Sequence, residues 1–192
     1  MAPSDEAELA KMVMTASKHN KGPIFCRYPR GEGEGVDITD ISQDVKIGKG
    51  RIIKRGKDLA ILALGTRVGS ALKVADYLLQ YNLNITVADA RFAKPIDTQL
   101  VEKLWNEHQK LIIIEEGSAG GFSSHCLHLL SSKDLLNKHD KEIKCLTMPD
   151  NFQDHASQKE QLAKAGLDTD GLMKVVSKMI PLSNVKYKSI TN

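Results

Sequence analysis

The chain has 192 residues, and its 27 Lys and Arg against 24 Asp and Glu leave a formal net charge of only +3. That length can hold one good-sized core, and no apolar run approaches the length of a membrane span. The basic residues are scattered instead of forming the stripe that nucleic-acid binders use, and three widely spaced cysteines without a C-x-x-C pair indicate reduced thiols and no zinc site. We therefore expect neither a membrane nor a nucleic acid as partner.

Residues 1–35 are predicted to contain one helix and one strand. Ser4 is a plausible N-cap, acidic residues follow in the first turn, and the helix should end near Lys18. The apolar residues with helical spacing are Leu9, Met12, Val13 and Ala16. Residues 24–28, IFCRY, are β-prone and are followed by Pro29, which predicts a strand. One helix and one strand cannot each bury a face alone, so this segment should be the end of a larger domain.

Residues 30–46, RGEGEGVDITDISQDVK, are glycine-rich and acidic, and we predict a linker at residues 36–45. Glycines at alternate positions after a predicted strand could instead form a phosphate-binding loop. We reject that interpretation because no helix follows to supply an N-terminus, and because Glu32 and Glu34 would repel an anion.

From residue 46 to residue 182, β-prone runs alternate with amphipathic segments. Residues 48–54 and 59–64 predict a hairpin whose first arm lies at a sheet edge. Further strands are predicted at residues 85–88, 111–115 and 143–148. This pattern predicts an α/β three-layer domain, in which helices cover both faces of a mostly parallel sheet of about five strands with a mixed edge. Residues 183–192 should form a tail.

The helix ends of this domain are marked by side-chain signals. Asp97 is a predicted N-cap, and Ser157 with Glu160 forms the S-x-x-E pattern of a capping box. Gly166 should end that helix, and either Asp168 or Asp170 should start the last one.

Residues 111–121, LIIIEEGSAGG, are predicted to be a strand, a glycine turn and the start of a helix. Glu115 and Glu116 could form a general acid and base pair, but adjacent strand residues point to opposite faces and cannot line one pocket. We therefore expect a structural role, with one carboxylate accepting hydrogen bonds from backbone donors of the glycine turn. His125 and His128 have helical spacing, but no third metal ligand is evident.

Several separate segments carry a recognisable pattern: MAPSDEAEL, RYPRGEGEGV, IGKGR, ADARFAKPID, EEGSAGGFSSH, and MPDNFQDH followed by QLAKAGLD. In this order and spacing they resemble the carboxyl-terminal third of the 1-deoxy-D-xylulose-5-phosphate synthase family, thiamine-diphosphate enzymes of the transketolase superfamily. The resemblance implies an enzyme that condenses pyruvate with glyceraldehyde 3-phosphate, releasing carbon dioxide, for isoprenoid, thiamine and pyridoxal precursors.

The resemblance also implies a division of the chain. Residues 1–35 would be the end of the second, pyrimidine-binding domain, and residues 46–182 would be a third domain like that of transketolase, which serves subunit assembly. Thiamine diphosphate and Mg²⁺ would be held by regions absent here, so no catalytic, cofactor or metal-binding residue is expected in this sequence and the isolated chain should be inactive. A homodimer in the bacterial cytoplasm or in a plastid is the family expectation.

One functional residue carries over from the family. The second arginine of the RYPRG motif helps to hold the phosphate of the aldehyde substrate, and here that residue is Arg30. A guanidinium matches two phosphate oxygens with parallel hydrogen bonds, so the residue type suits the role. Arg27 is the second candidate for this contact, or else pairs within the preceding domain.

Three other interpretations remain. Transketolase itself and the beta subunit of a 2-oxoacid dehydrogenase share the EEG feature, whereas RYPRG and PDNFQDH argue against both. A non-catalytic assembly module is the alternative from another functional class.

Overall fold

The predicted alternation of strands and helices is present in the computed structural model, which describes residues 1–39, 44–137 and 140–180. The strands are β1 (Arg51–Lys54), β2 (Leu59–Ala63), β3 (Ile85–Asp89), β4 (Lys110–Ser118) and β5 (Glu142–Met148). The helices are α1 (Glu6–Lys18), α2 (Arg67–Leu78), α3 (Thr98–Glu107), α4 (Phe122–Ser132), α5 (Gln158–Ala165) and α6 (Thr169–Met179). None of the helices in the described ranges is long and apolar enough to cross a membrane.

The strands form one sheet in the order β1-β3-β2-β4-β5. Strands β2, β3, β4 and β5 are parallel, and β1 pairs antiparallel with β3 at one edge. The mostly parallel sheet of five strands with a mixed edge is therefore confirmed. The predicted hairpin is wrong, because β1 pairs with β3 and does not contact β2 as a ladder partner.

The connection between β1 and β2 explains why no hairpin forms. Gly56 and the two residues after it cross the start of β3: Gly56 N donates to Thr86 Oγ1 at 2.9 Å, and Lys57 N donates to Asn84 O at 3.0 Å. A Cβ on Gly56 would overlap the backbone of Asn84. This close approach requires glycine. As a result, β3 lies in the sheet between β1 and β2, which are consecutive strands in the sequence.

Two apolar cores lie on the two faces of the sheet, as the three-layer prediction requires. Strand β2 is buried on both faces. Its residues Leu59 and Ile61 pack in the core that contains α2 and α6, whereas Ala60 and Leu62 pack in the core that contains α3 and α4. A strand that is covered on both sides has no period-2 pattern, which is why its sequence reads as a continuous apolar run.

The predicted helix caps are present. Asp97 accepts a hydrogen bond from Leu100 N, and both hydrogen bonds of the capping box join Ser157 and Glu160. Gly166 has φ of +69° at the end of α5, and Asp168, of the two candidates, caps α6. These signals act within one turn of chain, so the sequence alone identifies them.

The amino-terminal segment differs from its prediction in three ways. Residues 24–28 are not a strand: none of the described strands lies beside them, and their backbone bonds within the described residues are those of Met1 with Phe25 and Arg27. The N-cap of α1 is Asp5, whose carboxylate accepts from Glu8 N, and not Ser4.

The predicted helix is present as α1, but of its four spaced apolar residues only Met12 is fully buried. The buried residues are Glu8, Met12 and Thr15, whereas Val13 is 53% exposed. Met12 packs against Val45 and Phe92. Part of the predicted linker and all of the tail lie outside the described residues, and the division into domains stays a prediction.

Candidate functional site

A cleft of about 720 Å³ lies at the carboxyl ends of the parallel strands. It is lined by Leu64 after β2, by Phe92 after β3, and by Glu115 and Ser118 of β4, and the amino-terminal segment forms its other wall. In open α/β sheets this edge is where ligands and partner subunits usually bind. The chemistry available in this cleft depends on the side chains of residues 115–121, EEGSAGG.

Glu115 is committed to the start of α4. Its side chain is buried, Oε1 accepts from Ser123 N at 2.7 Å, and Oε2 accepts from Phe122 N at 3.0 Å. A Cβ on Gly121 would lie 2.7 Å from Oε2, so glycine leaves the space that the carboxylate fills. As predicted, one glutamate accepts hydrogen bonds from backbone donors, but these donors are unpaired N–H groups at the N-terminus of α4 and not those of the glycine turn.

Glu116 points to the opposite face, as predicted. Its Oε1 accepts from Thr66 Oγ1 at 2.5 Å and from Arg67 Nε at 2.9 Å. Arg67 is itself buried and donates to Leu167 O at 2.8 Å, which joins β4, α2 and the turn between α5 and α6. Both carboxylates are thus engaged in hydrogen bonds within the fold.

A buried charge cluster joins α1 to the end of β3, and sequence reasoning missed it. Arg91 donates to both oxygens of Glu8, at 2.7 and 2.9 Å, and Arg51 Nη1 lies 2.9 Å from Glu8 Oε1. Arg51 Nε in turn lies 3.3 Å from Asp89. Desolvation by burial raises the pKa of Asp89 to about 6, against the opposing effect of Arg51. The sequence signal for this cluster was Glu8 among the apolar positions of the first predicted helix, together with Asp89 and Arg91 in the ADAR segment at the end of a predicted strand.

The two predicted phosphate-binding arginines lie on the amino-terminal segment and both are exposed. Arg27 lines the cleft, and its Nη2 donates to Glu116 O at 3.3 Å. Arg30 lines a separate cavity of about 400 Å³, together with Ser4, Tyr28 and Thr66. The two guanidinium groups therefore line different cavities.

Within residues 1–39, 44–137 and 140–180, no group of three His, Cys, Asp or Glu side chains is placed to hold a metal ion. His125 lines the cleft, but it belongs to no such group. Burial raises the pKa of the Cys126 and Cys145 thiols, so both are poor nucleophiles.

The fold and this edge of the sheet have a counterpart among known proteins. Residues 48–172 match the model of the transketolase C-terminal domain family. The chain therefore belongs to that family, and its five-stranded, mostly parallel sheet with the flanking helices is the transketolase C-terminal domain fold.

Two solved structures are similar to the chain. A protein described as a split-gene transketolase, an inactive beta4 tetramer, matches with a TM-score of 0.76 and 25% identity over 95% of this chain and 58% of its own. A transketolase mutant from Pichia stipitis in complex with xylulose 5-phosphate matches at a TM-score of 0.48 and 12% identity, over 70% of this chain and 18% of its own. This chain thus spans 58% of the split-gene protein.

Proposed function

We propose that the chain is the carboxyl-terminal part of a 1-deoxy-D-xylulose-5-phosphate synthase, which uses thiamine diphosphate and Mg²⁺ to join pyruvate and glyceraldehyde 3-phosphate with loss of carbon dioxide. The supporting observation is Arg30 of the RYPRG motif: within the described part of the chain its guanidinium makes no hydrogen bond or ion pair, and it borders a cavity of about 400 Å³. An exposed, unpaired guanidinium can take two oxygens of a phosphate monoester.

The cofactor supplies the carbanion chemistry when it is bound, and we place its binding site in domains outside this chain. The residues of this chain contribute one substrate contact and an assembly surface. Because the cofactor site is placed outside this chain, the isolated chain should have no activity.

The experiment is a donor test. The chain is joined to the domains that hold the cofactor and assayed with glyceraldehyde 3-phosphate and either pyruvate or a ketose phosphate as donor. Product formation and carbon dioxide release from pyruvate alone support the synthase. Calorimetric titration of the isolated chain with thiamine diphosphate and magnesium should give no saturable heat. Micromolar binding would contradict the proposal that the cofactor site lies outside this chain.

A second candidate function is transketolase itself, since the neighbour with a TM-score of 0.76 is described as a split-gene transketolase. A ketose phosphate donor that replaces pyruvate in the same assay would favour it. An enzyme inert with both donors would favour a non-catalytic assembly module. We propose a homodimer in the bacterial cytoplasm or a plastid for the whole protein.

A further inference from the structure

The glycine-rich segment after Arg30 does bind an anion, and that anion is a side chain of the same chain. Three consecutive backbone N–H groups surround the carboxylate of Glu6: Gly35 N donates to Oε1 at 2.5 Å, Val36 N to Oε1 at 3.0 Å, and Glu34 N to Oε2 at 3.1 Å. Successive N–H groups that converge in this way form a concave anion site. The segment is thus tied to the first turn of α1.

Two of the alternating glycines have a physical reason in this arrangement. A Cβ on Gly33 would lie 2.6 Å from Glu6 Oε1, so any side chain there would displace the carboxylate. Gly35 has φ of +79°, a left-handed conformation that other residues rarely adopt. The repeat RGEGEG at residues 30–35 therefore has the composition that wrapping around a carboxylate requires.

The same contacts explain why Glu6 does not form an ion pair with Arg30. Backbone N–H groups, that of Glu6 itself first and then those of residues 34–36, hold the pKa of Glu6 below its ordinary value. The charge of Glu6 is thus satisfied by backbone donors, and it forms no ion pair with Arg30, although both residues line the cavity of about 400 Å³. The guanidinium stays available for another anion.

We propose that Glu6 is a positioning residue for Arg30: by holding the backbone of residues 34–36 it fixes the segment that presents the guanidinium to a phosphate monoester. This rests on the role of Arg30 in the proposed function and adds the residue that orients it. Glu6 itself does not touch the substrate.

The first experiment needs no activity. Amide hydrogen exchange is measured on this chain and on its Glu6→Ala and Glu6→Gln variants. We expect the amides of residues 34–36 to exchange about tenfold or more faster in Glu6→Ala, since they lose a charged acceptor. Glu6→Gln should be intermediate, because one carbonyl oxygen remains. Glu107→Ala removes another exposed carboxylate with a lowered pKa, far along α3, and should change nothing in this segment. Unchanged exchange in Glu6→Ala would overturn the proposal.

The second experiment tests positioning in the whole enzyme. KM is measured for glyceraldehyde 3-phosphate and for unphosphorylated glyceraldehyde. Glu6→Ala should raise KM about tenfold for the phosphorylated aldehyde only, with kcat nearly unchanged, as loss of a ground-state phosphate contact predicts. An equal rise for both aldehydes, or none, overturns the proposal. An enzyme that takes a ketose phosphate in place of pyruvate refutes the synthase assignment, but the comparison of the two aldehydes still tests Glu6.

Discussion

Replacing Glu8 by Gln tests whether buried charge holds α1 on the domain. The side chain of Glu8 is 2% exposed and binds two arginines, Arg91 at 16% exposure and Arg51 at 34%. Glutamine keeps the volume but leaves Arg91 without its carboxylate, and Arg51 then pairs with Asp89 alone. Breaking a fully buried ion pair costs about 3–5 kcal/mol, and the partial exposure of Arg51 lowers our expectation to about 2–3 kcal/mol.

The assay must separate docking of α1 from unfolding of the domain. Amide exchange along α1 reports docking, and we expect it to accelerate about 30-fold or more, which corresponds to about 2 kcal/mol. Trp105 is buried in α3 and its fluorescence reports unfolding of the domain in urea, which should change less.

Two further variants test the electrostatic reason. Glu102→Gln removes an ion pair to Lys133 whose side chains are 27% and 47% exposed, and should cost less than about 1 kcal/mol. Combining Glu8→Gln with Arg91→Met removes the uncompensated cation and should recover part of the loss. Exchange along α1 that is equal in Glu8→Gln and in the unchanged chain would refute the reasoning.

Three other predictions concern the domain itself. The pKa of Asp89 is raised to about 6, so its contribution to stability is fully present below about pH 4 and is lost as pH rises through 6. Urea unfolding should therefore show the free energy of unfolding decline by up to about 3 kcal/mol over this range. Asp89→Asn should flatten the decline, and an unchanged decline in this variant would contradict the prediction. Gly56→Ala should lower the free energy of unfolding by about 2 kcal/mol or more, because its Cβ meets the backbone of Asn84. The control Gly69→Ala in α2 has open space around its Cβ and should be neutral or stabilising. Equal losses in the two variants would contradict the account of the β1–β2 connection. Light scattering should find the chain as a dimer, and a stable monomer would count against the proposed assembly role.

The features that the sequence predicts correctly are those that depend on nearby residues. Asp97, Gly166 and the Ser157–Glu160 box act within one helical turn, so their patterns predict helix ends without knowledge of the fold. The opposite orientation of Glu115 and Glu116 follows from the period of a strand. The parallel α/β class follows because right-handed crossovers are nearly the only way to connect such strands.

The tertiary structure alone decided which distant residues meet. Sequence proximity favoured pairing β1 with β2, but β3 lies between them, because the connection at Gly56 crosses its start. Residues 24–28 have strand propensity, yet a strand also needs a neighbour, and none of the five described strands lies beside them. In the sequence, Glu6 and Glu8 look like ordinary acidic residues in the first turn of a helix. Only the folded chain brings Arg91 to Glu8 and the N–H groups of residues 34–36 to Glu6. Local patterns report what one segment prefers, whereas strand order and charge partners depend on contacts between segments far apart in the chain.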